Sequence, residues 1–209
     1  MSNVVLIRPG CTDFDEQQRV QGTLDLPLNR RGQEQIRQIA LELREVPLEI
    51  LYTSPSEPAR SSALAIGRIL NVPVKELEGL RSFNQELWQR LQVDEIRRKH
   101  PRVFKQWVEA PETICPPGGE TVAGTLERIH RALEKPLKRE IPFGVVAPEP
   151  LASMIACLVE NRKLDLGESL CGTAKGSAWQ ILNWNGLQTR TTSVGASSAL
   201  ARAAGESPR

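Results

Sequence analysis

The strongest constraint on this chain is an alternation. Short β-branched runs are separated by segments whose apolar residues recur every three or four positions. Val4-Val5-Leu6-Ile7 is one such run, and Arg8-Pro9-Gly10 ends it at once. Residues 48–53 and 72–77 read as further strands, and 143–147 as a buried one. Between them, residues 32–44 place Ile36, Ile39, Ala40 and Leu43 on one helical face. Residues 59–70, 120–133 and 151–159 also read as helices, and Glu127 and Arg131 form an i,i+4 pair on an exposed side. Strands alternating with helices predict an α/β fold: a three-layer sandwich with a mostly parallel central sheet, helices on both faces and strand 4–7 in the interior.

The remaining segments are less regular. Residues 80–117 carry helical stretches only at 93–99 and 103–108. Residues 179–184 alternate as a strand, and Asn185-Gly186 is a hairpin signal that predicts a return strand over 187–192. From Ser193 the chain is rich in Ala, Ser and Gly, with Val194 and Leu200 its large apolar residues. The expected organisation is one domain over 1–192 and a disordered tail over 193–209.

Composition removes several classes of function. Lys and Arg number 27 against 25 Asp and Glu, so no global basic field draws nucleic acid. The basic cluster Arg97-Arg98-Lys99-His100 follows Asp94 and Glu95 and reads as a solvated helix end. The first residues lack a basic leader, and their apolar run is too short to span a bilayer, so a cytoplasmic chain without membrane contact is expected. Cys11, Cys115, Cys157 and Cys171 are scattered without CxxC spacing. Free thiols are expected, with no metal and no cofactor.

In α/β folds ligands sit beyond the carboxyl ends of the strands. Residues 8–15, 54–62, 80–91 and 148–151 therefore hold the candidate site. Cys11 could be a nucleophile only with a neighbouring base or cation; otherwise it is a packed thiol. The Pro116-Pro117-Gly118-Gly119 segment lacks the lysine of a phosphate-binding loop and reads as the lead-in to a helix.

These segments carry a resemblance. Arg8-Pro9-Gly10 ends the first strand where one family has Arg-His-Gly. Gln21-Gly22, Asp25, Pro27-Leu28-Asn29, Gly32 and Gln35 follow in that family's order. So do Ser54-Pro55 with Ala59 and Ser62-Ala63, then Leu80, Trp88 and Leu91, then Gly118-Gly119-Glu120-Thr121 with Arg128. Over residues 3–192 the chain resembles the histidine phosphatase superfamily, the phosphoglycerate-mutase-like group. The resemblance implies a phosphoryl-transfer site. One histidine attacks phosphorus, a second histidine and two arginines hold the phosphoryl oxygens, and a carboxylic acid protonates the leaving group.

Residue by residue, the implied machinery is replaced. Pro9 stands at the nucleophile, Pro148 at the second histidine and Pro58 at the second arginine. Ser82 stands at the acid, Asp15 at a phosphate-contacting asparagine, and Arg8 remains of the charged set. His100 and His130, the two histidines of the chain, follow no strand. Arg60, two residues past Pro58, points elsewhere on its helix. The expectation is a vestigial pocket of Arg8, Pro9, Asp15, Gln21, Gly22, Pro58, Ser82 and Pro148, with Arg8 paired to Asp15 and phosphate held no better than roughly millimolar. The chain is then expected to be no enzyme but a pseudoenzyme that binds a protein partner. The alternatives are a phosphatase- or mutase-type enzyme of unorthodox mechanism and a small-molecule sensor.

Overall fold

The β-branched runs become strands and the periodic segments become helices. A computed structural model describes residues 3–114, 118–139, 141–167, 169–170 and 177–184. In chain order the elements are β1 (Asn3–Ile7), α1 (Asp13–Glu16), α2 (Arg30–Glu42), β2 (Ile50–Thr53), α3 (Ala59–Leu70) and β3 (Val74–Glu76). They continue with α4 (Val93–Lys99), α5 (Pro101–Glu109), α6 (Val122–Lys138), β4 (Phe143–Val146), α7 (Leu151–Val159) and β5 (Trp179–Asn183).

The five strands form one sheet in the order β3-β2-β4-β1-β5. β3, β2, β4 and β1 are parallel, and β5 runs antiparallel to β1 with Ile7 opposite Trp179. The α/β architecture with a mostly parallel sheet is as expected, and β1 is an interior strand. The Asn185-Gly186 turn, the return strand and the tail lie outside the described residues, as do Cys115 and Cys171.

Strand side chains alternate, so the sheet feeds two cores. Val5, Ile7, Leu51 and Val146 pack with Ile36, Ile39 and Ala40 of α2 and with Ala59, Ala63 and Ile66 of α3. Val4, Leu6, Tyr52, Phe143 and Val145 belong to a larger core on the other face, with Ile129 and Leu133 of α6 and Met154 and Ile155 of α7. Residues 80–114 complete that core through Phe83, Trp88 and Trp107. The Trp107 ring lies 6.0 Å from Phe83 and 5.7 Å from Trp88, centroid to centroid.

Element ends depart from the sequence pattern for local reasons. Residue 72 is not in β3, because its N–H closes α3 by donating to Gly67 O at 2.9 Å. Asn71, left-handed at φ +56°, turns the chain there. α6 runs past Leu133 through Pro136, because Pro136 and Leu137 are buried in its last turn. Thr121 starts α6 by accepting from Gly124 N at 3.1 Å. Among the described residues, no helix is long and apolar enough to cross a membrane.

Candidate functional site

A cleft of about 930 Å³ opens where β1 and β4 end. One wall is the chain that leaves β1: Arg8, Pro9, Gly10 and Cys11, then Asp15 and Glu16. The second is the turn after β4, Pro148 and Glu149, and the third is a stripe along α2 that includes Arg31, Glu34, Gln38 and Glu42. Gln21 and Pro58 complete the rim. This is the carboxyl-end location that parallel sheets reserve for ligands.

The wall after β1 is fixed by backbone contact. Gly10 and Gly32 meet so closely that a Cβ on Gly10 would lie 2.3 Å from Gly32 O, and one on Gly32 would lie 2.1 Å from Cys11 O. Glycine is required at both because only its bare Cα allows the loop to rest on α2. Gly10 N donates to Ser62 Oγ at 3.1 Å, and Cys11 N donates to Gln35 Oε1 at 3.0 Å. Asn29 caps α2 at Gly32 N, 2.8 Å away, and its Oδ1 also faces the Cys11 thiol at 3.6 Å. Burial pushes the Cys11 thiol up from its ordinary value against the opposing pull of Arg31; Asp15 and Glu16 raise it further. At neutral pH it is therefore mostly a thiol rather than a nucleophilic thiolate.

Arg8 does not pair with Asp15, which corrects the expectation. Its Nε donates to Glu149 Oε1 at 2.7 Å and its Nη1 to Ser177 O at 2.8 Å. Register explains this. β1 and β4 are parallel neighbours with Ile7 opposite Val146, so the chains leaving them run side by side. The Glu149 side chain is fully buried, while Arg8 keeps 17% of its side chain exposed. The second carboxylate oxygen of Glu149 accepts from Ser153 N at 3.1 Å and Ser153 Oγ at 2.8 Å, in the first turn of α7. Asp15 instead closes a capping box on α1, accepting from Thr12 N at 2.6 Å and Thr12 Oγ1 at 2.8 Å.

Of the other expected residues, Pro9, Pro58 and Pro148 share the cleft with Arg8, Asp15 and Gln21. Gln21 Nε2 ties the rim together, donating to Leu24 O and to Glu57 O, each at 2.8 Å. Gly22 and Ser82 are not part of the cleft lining. Gly22, at φ +59°, forms the turn behind Gln21 and packs on Gln89. Ser82 is 3% exposed, and its hydroxyl has no hydrogen-bond partner among the described residues. The Leu80 and Phe83 anchors beside it bury that stretch in the larger core. Arg60 pairs with Glu76 at 2.8 Å, outside the cleft. Neither histidine is part of the lining.

Sequence reasoning missed Glu149, Arg31 and the α2 stripe. Glu149 lies within residues 148–151, a strand exit, and an acidic residue set between two prolines is the local signal that marks it. The i,i+4 spacing of Glu34, Gln38 and Glu42 was a usable signal for one helical wall. Hydrogen bonds from Trp179 and Gln38 hold the Glu42 carboxyl below its usual range. Among the described residues, no group of three or more His, Cys, Asp and Glu is placed to hold a metal ion.

The fold and the cleft together define an α/β protein of the phosphoglycerate-mutase-like class. The family model of the histidine phosphatase superfamily (branch 1) matches residues 4–197, and the chain belongs to that family. It is 31% identical over 162 residues to phosphoserine phosphatase 1 of Hydrogenobacter thermophilus, covering 76% of this chain and 77% of that one. It is 30% identical over 132 residues to an uncharacterized phosphatase of Bacillus subtilis, covering 63% and 66%. The fold is also that of mycobacterial glucosyl-3-phosphoglycerate phosphatase solved with VO3, with a TM-score of 0.76, 23% identity and coverage of 88% and 91%.

These findings overturn the expectation that the chain is no enzyme. A relative similar along three quarters of the chain is a named phosphatase, and an enzyme role is indicated. The expectation rested on reading Pro9 and Pro148 at the family's two histidine positions, and that reading does not make the chain inactive.

Proposed function

We propose that the chain is a phosphatase-type enzyme that acts on phosphate monoesters in the Arg8–Glu149 cleft without a phosphohistidine. Membership of the family over residues 4–197 carries the reading. The similarity to phosphoserine phosphatase 1 supports a small monoester as substrate. Pro9 and Pro148 are taken to stand at the family's two histidine positions, and proline has no lone pair with which to attack phosphorus. The nucleophile is then water. Its oxygen bonds to phosphorus as the ester P–O bond breaks, and its proton passes through a rim carboxylate, Glu16 or Glu34, to the departing alkoxide. Arg31 supplies positive charge at the same rim. Losing a covalent nucleophile costs on the order of 10⁶ in rate in a well-characterised hydrolase, so turnover is expected to be slow.

The test is release of phosphate from p-nitrophenyl phosphate, phosphoserine and related monoesters by the wild type, Cys11→Ser and Arg31→Met. Expected are measurable turnover, its retention in Cys11→Ser, a drop of about tenfold or more in Arg31→Met, and no acid-labile phosphate on quenched protein. Wild-type protein that releases no more phosphate than its heat-inactivated control on every ester would overturn the reading.

A further inference from the structure

The cleft keeps an arginine but spends its charge. Glu149 faces Arg8 at 2.7 Å and is sealed from water, while Arg8 is only partly so. Ser153 holds the other Glu149 oxygen with two donors, and Ser153 Oγ is itself 2.9 Å from Ser169 Oγ. A carboxylate gripped on both oxygens cannot swing aside when an anion arrives. The incoming phosphate therefore meets a guanidinium already neutralised at contact distance. The rim carries the carboxylates Glu16, Glu34 and Glu42 with Arg31, and Glu34 also lies 3.5 Å from Arg37 in an exposed, weakly held pair. A bare dianion gains little there. An ester whose alcohol portion carries an ammonium group brings its own compensation and finds carboxylates to receive it.

We propose that Glu149 is the specificity-determining residue of the cleft. By neutralising Arg8 it makes the cleft select phosphate esters that carry a cationic group over those that do not. The proposal rests on the reading of the cleft as a phosphate-monoester site, but on binding alone and not on turnover.

O-phosphoethanolamine and ethyl phosphate form a matched pair of probes, close in size and differing in the ammonium group. Their dissociation constants are measured by calorimetry on the full chain. The wild type is expected to favour phosphoethanolamine by about tenfold or more, the scale of one screened charge contact. Glu149→Gln keeps an oxygen for Arg8 but frees its charge, so ethyl phosphate should tighten by about tenfold and the preference should collapse. Equal wild-type affinities, no measurable phosphoethanolamine binding, or an unchanged ratio in Glu149→Gln would each overturn the proposal. The double variant Arg8→Met/Glu149→Gln buries no charge and covers the case in which the single variant does not fold. An electrically silent pair predicts ethyl phosphate affinity within about twofold of wild type. A tenfold loss would show that Arg8 grips phosphate despite Glu149, and would overturn the proposal. A chain that shows these ratios and hydrolyses nothing would refute the phosphatase reading and leave this one standing.

Discussion

Replacing Arg128 with methionine tests how the start of α6 is tied to the loop that runs from residue 79 to the aromatic core. The Arg128 guanidinium makes two parallel bonds to Glu120, Nε to Oε1 at 2.7 Å and Nη2 to Oε2 at 2.8 Å. Its Nη1 donates to Gly79 O at 2.7 Å, and Glu120 N donates to Asn84 O at 3.1 Å. The side chains of Arg128 and Glu120 are 12% and 18% exposed. Methionine keeps much of the aliphatic packing and removes the charge and all three donors. Breaking a fully buried pair costs about 3–5 kcal/mol, and an exposed pair is worth at most about 1 kcal/mol. Partial exposure here, with its solvent screening, places the loss near 2 kcal/mol at neutral pH. For a domain of this size that is roughly 4–8 °C in Tm.

The pH dependence has a definite sign. Burial raises the Glu120 carboxyl, but the hydrogen bonds and charge of Arg128, with help from Thr125 and Arg81, outweigh it and leave the value lowered. A carboxyl depressed in the folded state contributes fully above its unfolded value, about 4.3. Its contribution is lost as pH falls through the lower folded value. The gap between wild type and Arg128→Met should therefore be constant near neutrality and narrow as pH falls into the carboxylate range, the earlier because burial acts on Glu120 with Arg128 gone. Urea unfolding of both proteins from neutral pH downward measures it. A neutral-pH loss below about 0.5 kcal/mol would mean that the pair behaves as a surface pair. A gap that widens as pH falls would refute the linkage argument.

Gly32→Ala should destabilise the chain by about 3 kcal/mol or more, because its Cβ would lie 2.1 Å from Cys11 O and backbone cannot yield as a side chain can; urea unfolding and soluble yield read this directly, and a wild-type midpoint would refute it. Arg90 sits at φ +70°, so Arg90→Gly should relieve strain and stabilise by about 0.5 kcal/mol, net of the entropy that glycine adds to the unfolded chain, again by urea unfolding. Cys11, whose thiol is raised by burial, should alkylate with iodoacetamide more slowly at neutral pH than a free cysteine; peptide mapping by mass spectrometry checks this, and a faster rate would restore it as a nucleophile.

What the sequence determined by itself was the set of elements and where they end. The runs at Val4–Ile7 and Phe143–Val146 are strands because local periodicity and β-branched residues encode them, and the abrupt stops at Arg8-Pro9 and Pro148 mark the strand exits. From those exits the cleft's position followed; the grouping of Pro9, Pro58 and Pro148 was what the family resemblance implied, and all three line the cleft. The charge pairing within the cleft was decided only by the tertiary structure. Arg8 and Glu149 are 141 residues apart, and they meet because β4 lies directly beside β1. No local pattern reports which strand takes that place. Asp15, the sequence-near candidate, was claimed by Thr12 three residues earlier, since a capping box closes with little loss of chain entropy. Ser82 was drawn into the core by Leu80 and Phe83 on either side, because burial of two large apolar side chains outweighs the cost of a hydroxyl with no partner among the described residues. Periodicity is written along the chain, but the partner of a buried charge depends on which distant segment packs against it.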